Sequence, residues 1–220
     1  MFKHFSPFLA KYSIYLWFLR KIIGKDIKTV LDLGCGDGLF MQSLSYKQNW
    51  QITGVDLYKD YFKRAKERGI YHKLIYGDAI KMVKGLVKQK KKYDLVFCSN
   101  LIEHIDKKQG EKLLELVENI AGKRIVFSTP TGFIHQLEIY LDHNPYQIHK
   151  SGWTESDFKK RGYFVFGVGF KPLWGEHHHI ATYQNKIVIL ILTTVSYLLS
   201  PIIYFLPSFG SGIIGCKKLK

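Results

Sequence analysis

Five short apolar runs lie between Thr29 and Ser128, and the gaps between them carry apolar residues at helical spacing. The runs are Thr29–Leu33, Gln51–Asp56, Ile70–Tyr76, Tyr93–Cys98 and Arg124–Ser128. Helices are predicted from Leu39 to about Tyr46, over Tyr58–Arg68, over Ala79–Lys88 and over Lys107–Ala121. In the last of these, Leu113, Leu114, Leu116, Val117 and Ile120 make the apolar stripe. Strands this apolar, each followed by an amphipathic helix, build a parallel sheet covered on both faces. At 220 residues the chain buries one sizeable core and is too short for two full α/β domains. No internal repeat or low-complexity run competes with this reading. Beyond Ser128 the rhythm loosens. Thr129–Gly152 reads as a long connection. Thr154, with Asp157 three residues on, reads as the cap of a short helix to about Arg161. Gly162–Phe170 reads as a further strand.

The first strand runs into Asp32-Leu-Gly-Cys-Gly-Asp-Gly38. In a doubly wound sheet, ligands sit beyond the carboxyl ends of the strands, where glycines let backbone approach closely. Asp56 falls at the tip of the second strand, where a carboxylate can accept from both hydroxyls of a ribose. A dinucleotide fold places an acid there too, so glycine spacing has to discriminate. A pyrophosphate fingerprint needs G-x-G-x-x-G. Here the third glycine position is Leu39, and Asp32 would set negative charge near phosphates. The loop suits a ligand with a cationic or amino group better than a nicotinamide dinucleotide.

These segments resemble the class I S-adenosylmethionine-dependent methyltransferases. Val30–Gly38 is similar to their first motif, Gly54-Val-Asp56 to the second, and Gly77-Asp78-Ala79 to the third. Tyr93–Ile105 resembles their fourth strand and its loop. Ser128–Gly132 and His149–Thr154 resemble the region after the fifth strand in the ubiquinone O-methyltransferase branch. The likeness covers roughly residues 28–170. It implies an α/β fold: a doubly wound, mostly parallel seven-stranded sheet with a hydrophobic helical insertion before the last strand. Gly212–Lys218 resembles that last strand, returning antiparallel. The implied organisation is a helical segment over 1–27, a cofactor-binding core over 28–170, an insertion over 171–211, and the last strand with a basic tail over 212–220.

The resemblance also implies roles. The backbone of Gly34, Cys35, Gly36 and Gly38 would pass under the methionine part of S-adenosyl-L-methionine. Asp32 would face its α-amino group, Asp56 with Leu57 would hold the ribose, and Asp78 with Ala79 would meet the adenine. Ser99 and Asn100 would line the sulfonium side. An oxygen nucleophile of high pKa wants a base, and histidine suits neutral pH. His104 is the first candidate, because it follows the fourth strand; His135 and His149 in the long connection come next. Each also has a plain structural reading, as a loop-orienting or packing residue. Trp153 reads as packing and Asp37 as a turn residue. No metal ligands are expected: three adjacent histidines at His177–His179 cannot all face one point on regular structure.

Ile187–Leu206 is twenty residues without a charge, bracketed by Lys186 and by Lys217, Lys218 and Lys220. It is long enough to span a hydrocarbon layer. If Gly212–Lys218 rejoins the sheet, both ends of the stretch must lie on one side of a membrane. An interfacial helix, broken near Pro201, then fits better than a crossing. A buried helix is the soluble alternative. Tyr12–Leu19 is broken by aromatics, lacks a cleavage site and reads as an amphipathic helix rather than a signal peptide. Lys and Arg number 33 against 18 acids, so the net charge of +15 attracts anionic surfaces. The run Lys81, Lys84, Lys88, Lys90, Lys91, Lys92 reads as a solvated face. Scattered Cys35, Cys98 and Cys216 argue against disulfides and for a reducing compartment. The expected function is methyl transfer to a small or lipid-linked acceptor at oxygen, at the cytoplasmic face of an anionic membrane. Alternatives are a nucleic-acid methyltransferase, for which no aromatic-interleaved basic stripe is present, and a non-catalytic cofactor-binding scaffold.

Overall fold

The computed structural model describes residues 14–135, 144–174 and 185–219. Among these residues the elements run α1 (Ile14–Ile23), β1 (Thr29–Leu33), α2 (Leu39–Leu44), β2 (Gln51–Asp56), α3 (Lys59–Arg68), β3 (Lys73–Tyr76), α4 (Ala79–Lys88), β4 (Tyr93–Ser99), α5 (Lys107–Glu118) and β5 (Ala121–Pro130). They continue with α6 (Glu155–Lys159), β6 (Phe164–Phe170), α7 (Lys171–Trp174), α8 (Lys186–Phe205) and β7 (Gly210–Lys218). The strand order is β3-β2-β1-β4-β5-β7-β6. This is the expected seven-stranded, mostly parallel sheet, with an apolar helix before an antiparallel last strand.

The chain divides into two compact units. The first comprises residues up to Leu101, then 108–126 and 218–220; the second comprises 102–107 and 127–217. In the first unit β1 lies between β2 and β4, parallel to both, with Leu31 opposite Thr53 and Val96. Val30, Leu31, Leu33, Val55, Leu95 and Val96 are wholly buried, as strands covered on both faces require. Helix α1 buries Leu16, Leu19 and Ile23, and the Arg20 guanidinium donates to the Ser43 and Leu44 carbonyls at the end of α2. A cation there offsets the partial negative charge of a helix C-terminus.

Three boundaries depart by three residues from the sequence reading. Strand β3 starts at Lys73 rather than Ile70, because Tyr71 is drawn aside to a hydrogen bond with Asp32. Strand β5 starts at Ala121 rather than Arg124, and α5 stops at Glu118. All six lysines of the run from Lys81 to Lys92 are exposed, as a solvated face should be.

In the second unit β6 and β7 pair antiparallel from Phe164 opposite Cys216 to Phe170 opposite Gly210. Helix α8 runs unbroken through Pro201, where the sequence suggested a break. Packing holds it past the proline: Ser196, Ile203 and Tyr204 are buried, and tertiary contact outweighs local propensity. The approach is close. A methyl added at Gly167 of β6 would stand 2.5 Å from the Ile203 carbonyl oxygen and 2.9 Å from Pro207 Cα. Only glycine admits the helix at that distance.

Candidate functional site

The first unit holds the predicted loop at the reversal of strand order between β1 and β4. Gly34 and Cys35 donate their amides to the Val55 carbonyl, at 2.9 and 3.0 Å, which ties the loop to the end of β2. Gly38 caps α2 with φ 78°, a conformation costly to a side chain. Asp37 is a turn residue, as expected, accepting from the Leu39 amide at 3.0 Å. It is also held from outside: Arg68 at the end of α3 donates to its carbonyl at 2.6 Å and to its carboxylate at 2.7 Å.

Asp56 accepts from the Gly36 amide at 2.8 Å and from the Tyr58 amide at 2.8 Å. Burial raises its pKa, against the pull of these donors. Asp32 is buried and accepts from the Tyr71 hydroxyl at 2.8 Å. Its pKa is pushed up to about 7, first by burial, with Tyr71 opposing and the charge of Asp56 adding. The same burial drives the Cys35 thiol upward, so it stays protonated and unreactive. Neither Asp32 nor Asp56 has an ion-pair partner among the described residues. Two partly desolvated acids beside a glycine loop, with no cation between them, repel a pyrophosphate. They suit a ligand that brings hydroxyls and an amino cation. Above the loop there is room: a methyl added at Gly36 would meet no heavy atom within 4 Å. The residues present therefore fit S-adenosylmethionine.

Tyr71 carries no motif signal and was missed by sequence reasoning. Its ring lies against two glycines: a methyl at Gly54 would stand 2.7 Å from it, and one at Gly38 would stand 2.9 Å from it. It thus packs on the loop while donating to Asp32. Arg68 was missed for the same reason, since each acts on a residue more than thirty positions away. Leu57 is half-buried just beyond Asp56. Asp78 caps α4 through the Lys81 amide at 2.8 Å, which commits one carboxylate oxygen. Ala79, the first residue of α4, is half-buried. Ser99 is half-buried at the end of β4, and Asn100 is exposed with φ 49°, a left-handed conformation asparagine tolerates.

The second unit gathers the histidines. The His104 and His149 rings meet at a tilt of 54°, with centroids 4.9 Å apart. Burial first, then the neighbouring His149, lowers the pKa of His104 to about 4. Burial also lowers His149. His149 Nδ1 lies 2.7 Å from the Ile134 carbonyl oxygen. A carbonyl only accepts, so Nδ1 carries the proton and Nε2 of the neutral ring keeps a lone pair. His104 Nδ1 faces the Ile148 carbonyl more loosely, at 3.4 Å. His135 is exposed, edge-on to Phe133. His177–His179 lie outside the described residues.

Glu103 adds something no spacing announced. It is buried, accepts from Thr129 at 3.0 Å, and has a pKa raised to about 7, chiefly by burial. Ligand-type atoms of Glu103, His104 and His149 lie within 4.8 Å of one another. The set could hold a cation; the ligands come from two segments 45 positions apart, which hides it from motif reading.

Residues 30–121 match a family described as a methyltransferase domain. Over 121 residues the chain is 30% identical to a ubiquinone biosynthesis O-methyltransferase of Coxiella burnetii, covering 53% of this chain and 49% of that protein. The chain thus spans about half the length of the curated relatives it matches. A solved SAM-dependent methyltransferase from Archaeoglobus fulgidus superposes with a TM-score of 0.61 at 23% identity, over 97% of this chain and 95% of that one. The magnesium protoporphyrin IX methyltransferase of Synechocystis, solved with SAM bound, gives a TM-score of 0.53 at 13% identity over 97% of this chain and 79% of that one. These two structural likenesses speak for the fold.

Proposed function

We propose that this chain is a class I S-adenosylmethionine-dependent methyltransferase, a reading supported by the match of residues 30–121 to a methyltransferase domain, and that it methylates an oxygen of a small or lipid-linked acceptor at the cytoplasmic face of a membrane. The observation that carries the cofactor reading is the pair of buried Asp32 and half-buried Asp56 beside the glycine loop, neither with an ion-pair partner among the described residues. Asp56 would accept from the ribose hydroxyls, with Leu57 beside it, and Asp32 from the α-amino group. The backbone of Gly34, Cys35, Gly36 and Gly38 would run beneath the methionine chain. The oxygen of Asp78 not used in capping α4, with Ala79, would meet the adenine, and Ser99 and Asn100 the sulfonium side. S-adenosylmethionine supplies a methyl group made electrophilic by the sulfonium. The protein's part is mostly placement, which supplies roughly 7–11 kcal/mol when reacting groups are well oriented.

The candidate base of choice is His149, because its Nδ1–H is fixed on a carbonyl and its Nε2 is free to take a proton. His104, more deeply buried, would position it through the ring contact. His135 has no such orienting bond among the described residues. Oxygen as the acceptor atom is supported by the O-methyltransferase name of the Coxiella relative.

Calorimetry with S-adenosylhomocysteine and with NADH tests the cofactor reading. Tight binding of the first and none of the second is expected; the reverse would sink it. Lipid extracts of cells with and without the protein should then differ by one methylene in mass. Cofactor binding without any such product, lipid or small molecule, would favour a scaffold.

Asp32 also makes affinity depend on pH. Its carboxyl is neutral below about 7 and ionised above, and only the ionised form pairs with an amino cation. Affinity for S-adenosylhomocysteine should therefore rise as pH passes through about 7. Tyr71 opposes the raised pKa, so Tyr71→Phe should move that midpoint upward. A midpoint that stays put would separate Tyr71 from the acid. Free-protein stability runs the other way. The folded state holds the Asp32 proton where the unfolded chain has lost it, so this group's contribution falls as pH rises from about 4 to 7.

A further inference from the structure

Helix α8 carries apolar residues on the outward face, which a soluble surface helix makes polar. Its packed face carries Ser196, Ile203 and Tyr204. The opposite face carries Ile187, Leu190, Ile191, Leu198, Ile202 and Phe205, all exposed, Leu198 at 69% and Phe205 at 73%. At 100° per residue these six fall within one arc of the helix. The stripe continues past the helix end through exposed Leu206 and Phe209. Exposed Thr194 lies in the same arc, its hydroxyl donating back to the Leu190 carbonyl at 2.8 Å; an apolar ridge of that kind marks a surface that is normally covered.

We propose that this ridge docks in the plane of an anionic phospholipid bilayer, and that the helix lies in the interface and does not cross it. The inference deepens the membrane part of the functional reading above and rests on it. Charge argues for the occupant. Residues 186–220 hold four lysines and no acid. Lys186 opens the helix, and Lys171 is exposed just after β6. At the other end, a cleft beside Pro207 and Ser208 is lined by Lys159 and Lys160, each of which also reaches an acid of its own helix, Glu155 or Asp157. A second copy of the chain would bring the same cations against these. A net charge of +15 repels itself but complements acidic headgroups.

Topology argues for the orientation. Phe170 is paired with Gly210, so the connection carrying α8 leaves and re-enters the sheet at one end. The later part of the helix is meanwhile clamped on β6, with Ile203 and Pro207 against Gly167. A helix so held cannot pass its whole length through a hydrocarbon layer. It can sink one face to the depth of the upper acyl chains.

Flotation of the full-length protein with vesicles of phosphatidylcholine, with and without phosphatidylglycerol, tests this. Wild type should float, more strongly with the anionic lipid. The double substitution Leu190→Glu and Leu198→Glu, both on the exposed face, should weaken partition by about 100-fold or more, as charges entering the acyl region must. Affinity for S-adenosylhomocysteine, measured in parallel without lipid, should not change. That second readout reports a failure of the cofactor reading separately. Wild type that stays with the soluble fraction overturns the proposal. So does a lipid-free dimer that the double substitution splits. A fluorophore on Leu198→Cys, feasible because Cys35, Cys98 and Cys216 are buried, should be quenched most by lipids brominated near the headgroup. Strongest quenching from the bilayer centre would mean a crossing helix and overturn the orientation.

Discussion

Trp153→Ala should lower the unfolding free energy by about 3–5 kcal/mol, the usual range for removing a large buried ring. Trp153 is wholly buried. Its indole N–H lies 2.9 Å from Ser151 Oγ and 3.2 Å from the Ile102 carbonyl. Lys107 stands over the ring, its Nζ 3.7 Å from the centroid, and the Phe158 ring lies 5.9 Å away. The Trp153 carbonyl also accepts from Gly132 at 2.7 Å. Truncation leaves a cavity, and it strips the buried Ser151 hydroxyl and Ile102 carbonyl of a donor. Denaturant titration of the variant beside Trp17→Ala, whose ring is exposed, checks this. The exposed site should change stability by no more than about 0.5 kcal/mol. A loss below about 1.5 kcal/mol at Trp153 would show the second unit repacking around the gap.

Asp56→Ala should cost about 1–3 kcal/mol of affinity for S-adenosylhomocysteine, the scale of hydrogen bonds to a charged group. That is roughly a 5- to 150-fold rise in Kd. Two effects add. The ribose loses its acceptor, and the glycine loop loses the bond from the Gly36 amide that helps hold it open. Asp56→Asn keeps one acceptor oxygen and should fall between the two. Calorimetry at pH 8, where Asp32 is ionised, keeps the comparison free of that second acid. Unchanged affinity in the alanine variant would remove the ribose from this strand tip.

The sheet was legible because its cause is local. Apolar strands, helical spacing in the gaps and a glycine run after the first strand all act over a few residues, whereas the antiparallel last strand was expected only from the family resemblance. The placement of Asp32 and Asp56 was legible for the same reason: each stands near a strand end beside the loop. What stayed hidden acts at a distance. Tyr71 reaches Asp32 across 39 positions, and the reach shortens β3. Glu103, His104 and His149 meet only through the fold. Trp153 could be read as a packing residue, but not as one bonded to a carbonyl 51 positions back. The break expected at Pro201 failed because a local rule was outweighed by contacts of Ile203 and Tyr204 that the sequence does not display.

The pairing of Phe170 with Gly210 makes the apolar stretch a cassette. Its two junctions sit side by side on adjacent strands, where an ordinary hairpin turn would also serve to close the chain. Replacing the long excursion by a tight bend would therefore reroute no strand of the sheet. Gly167 is the scar such an exchange would leave: a bare spot on β6, shaped for a helix no longer there.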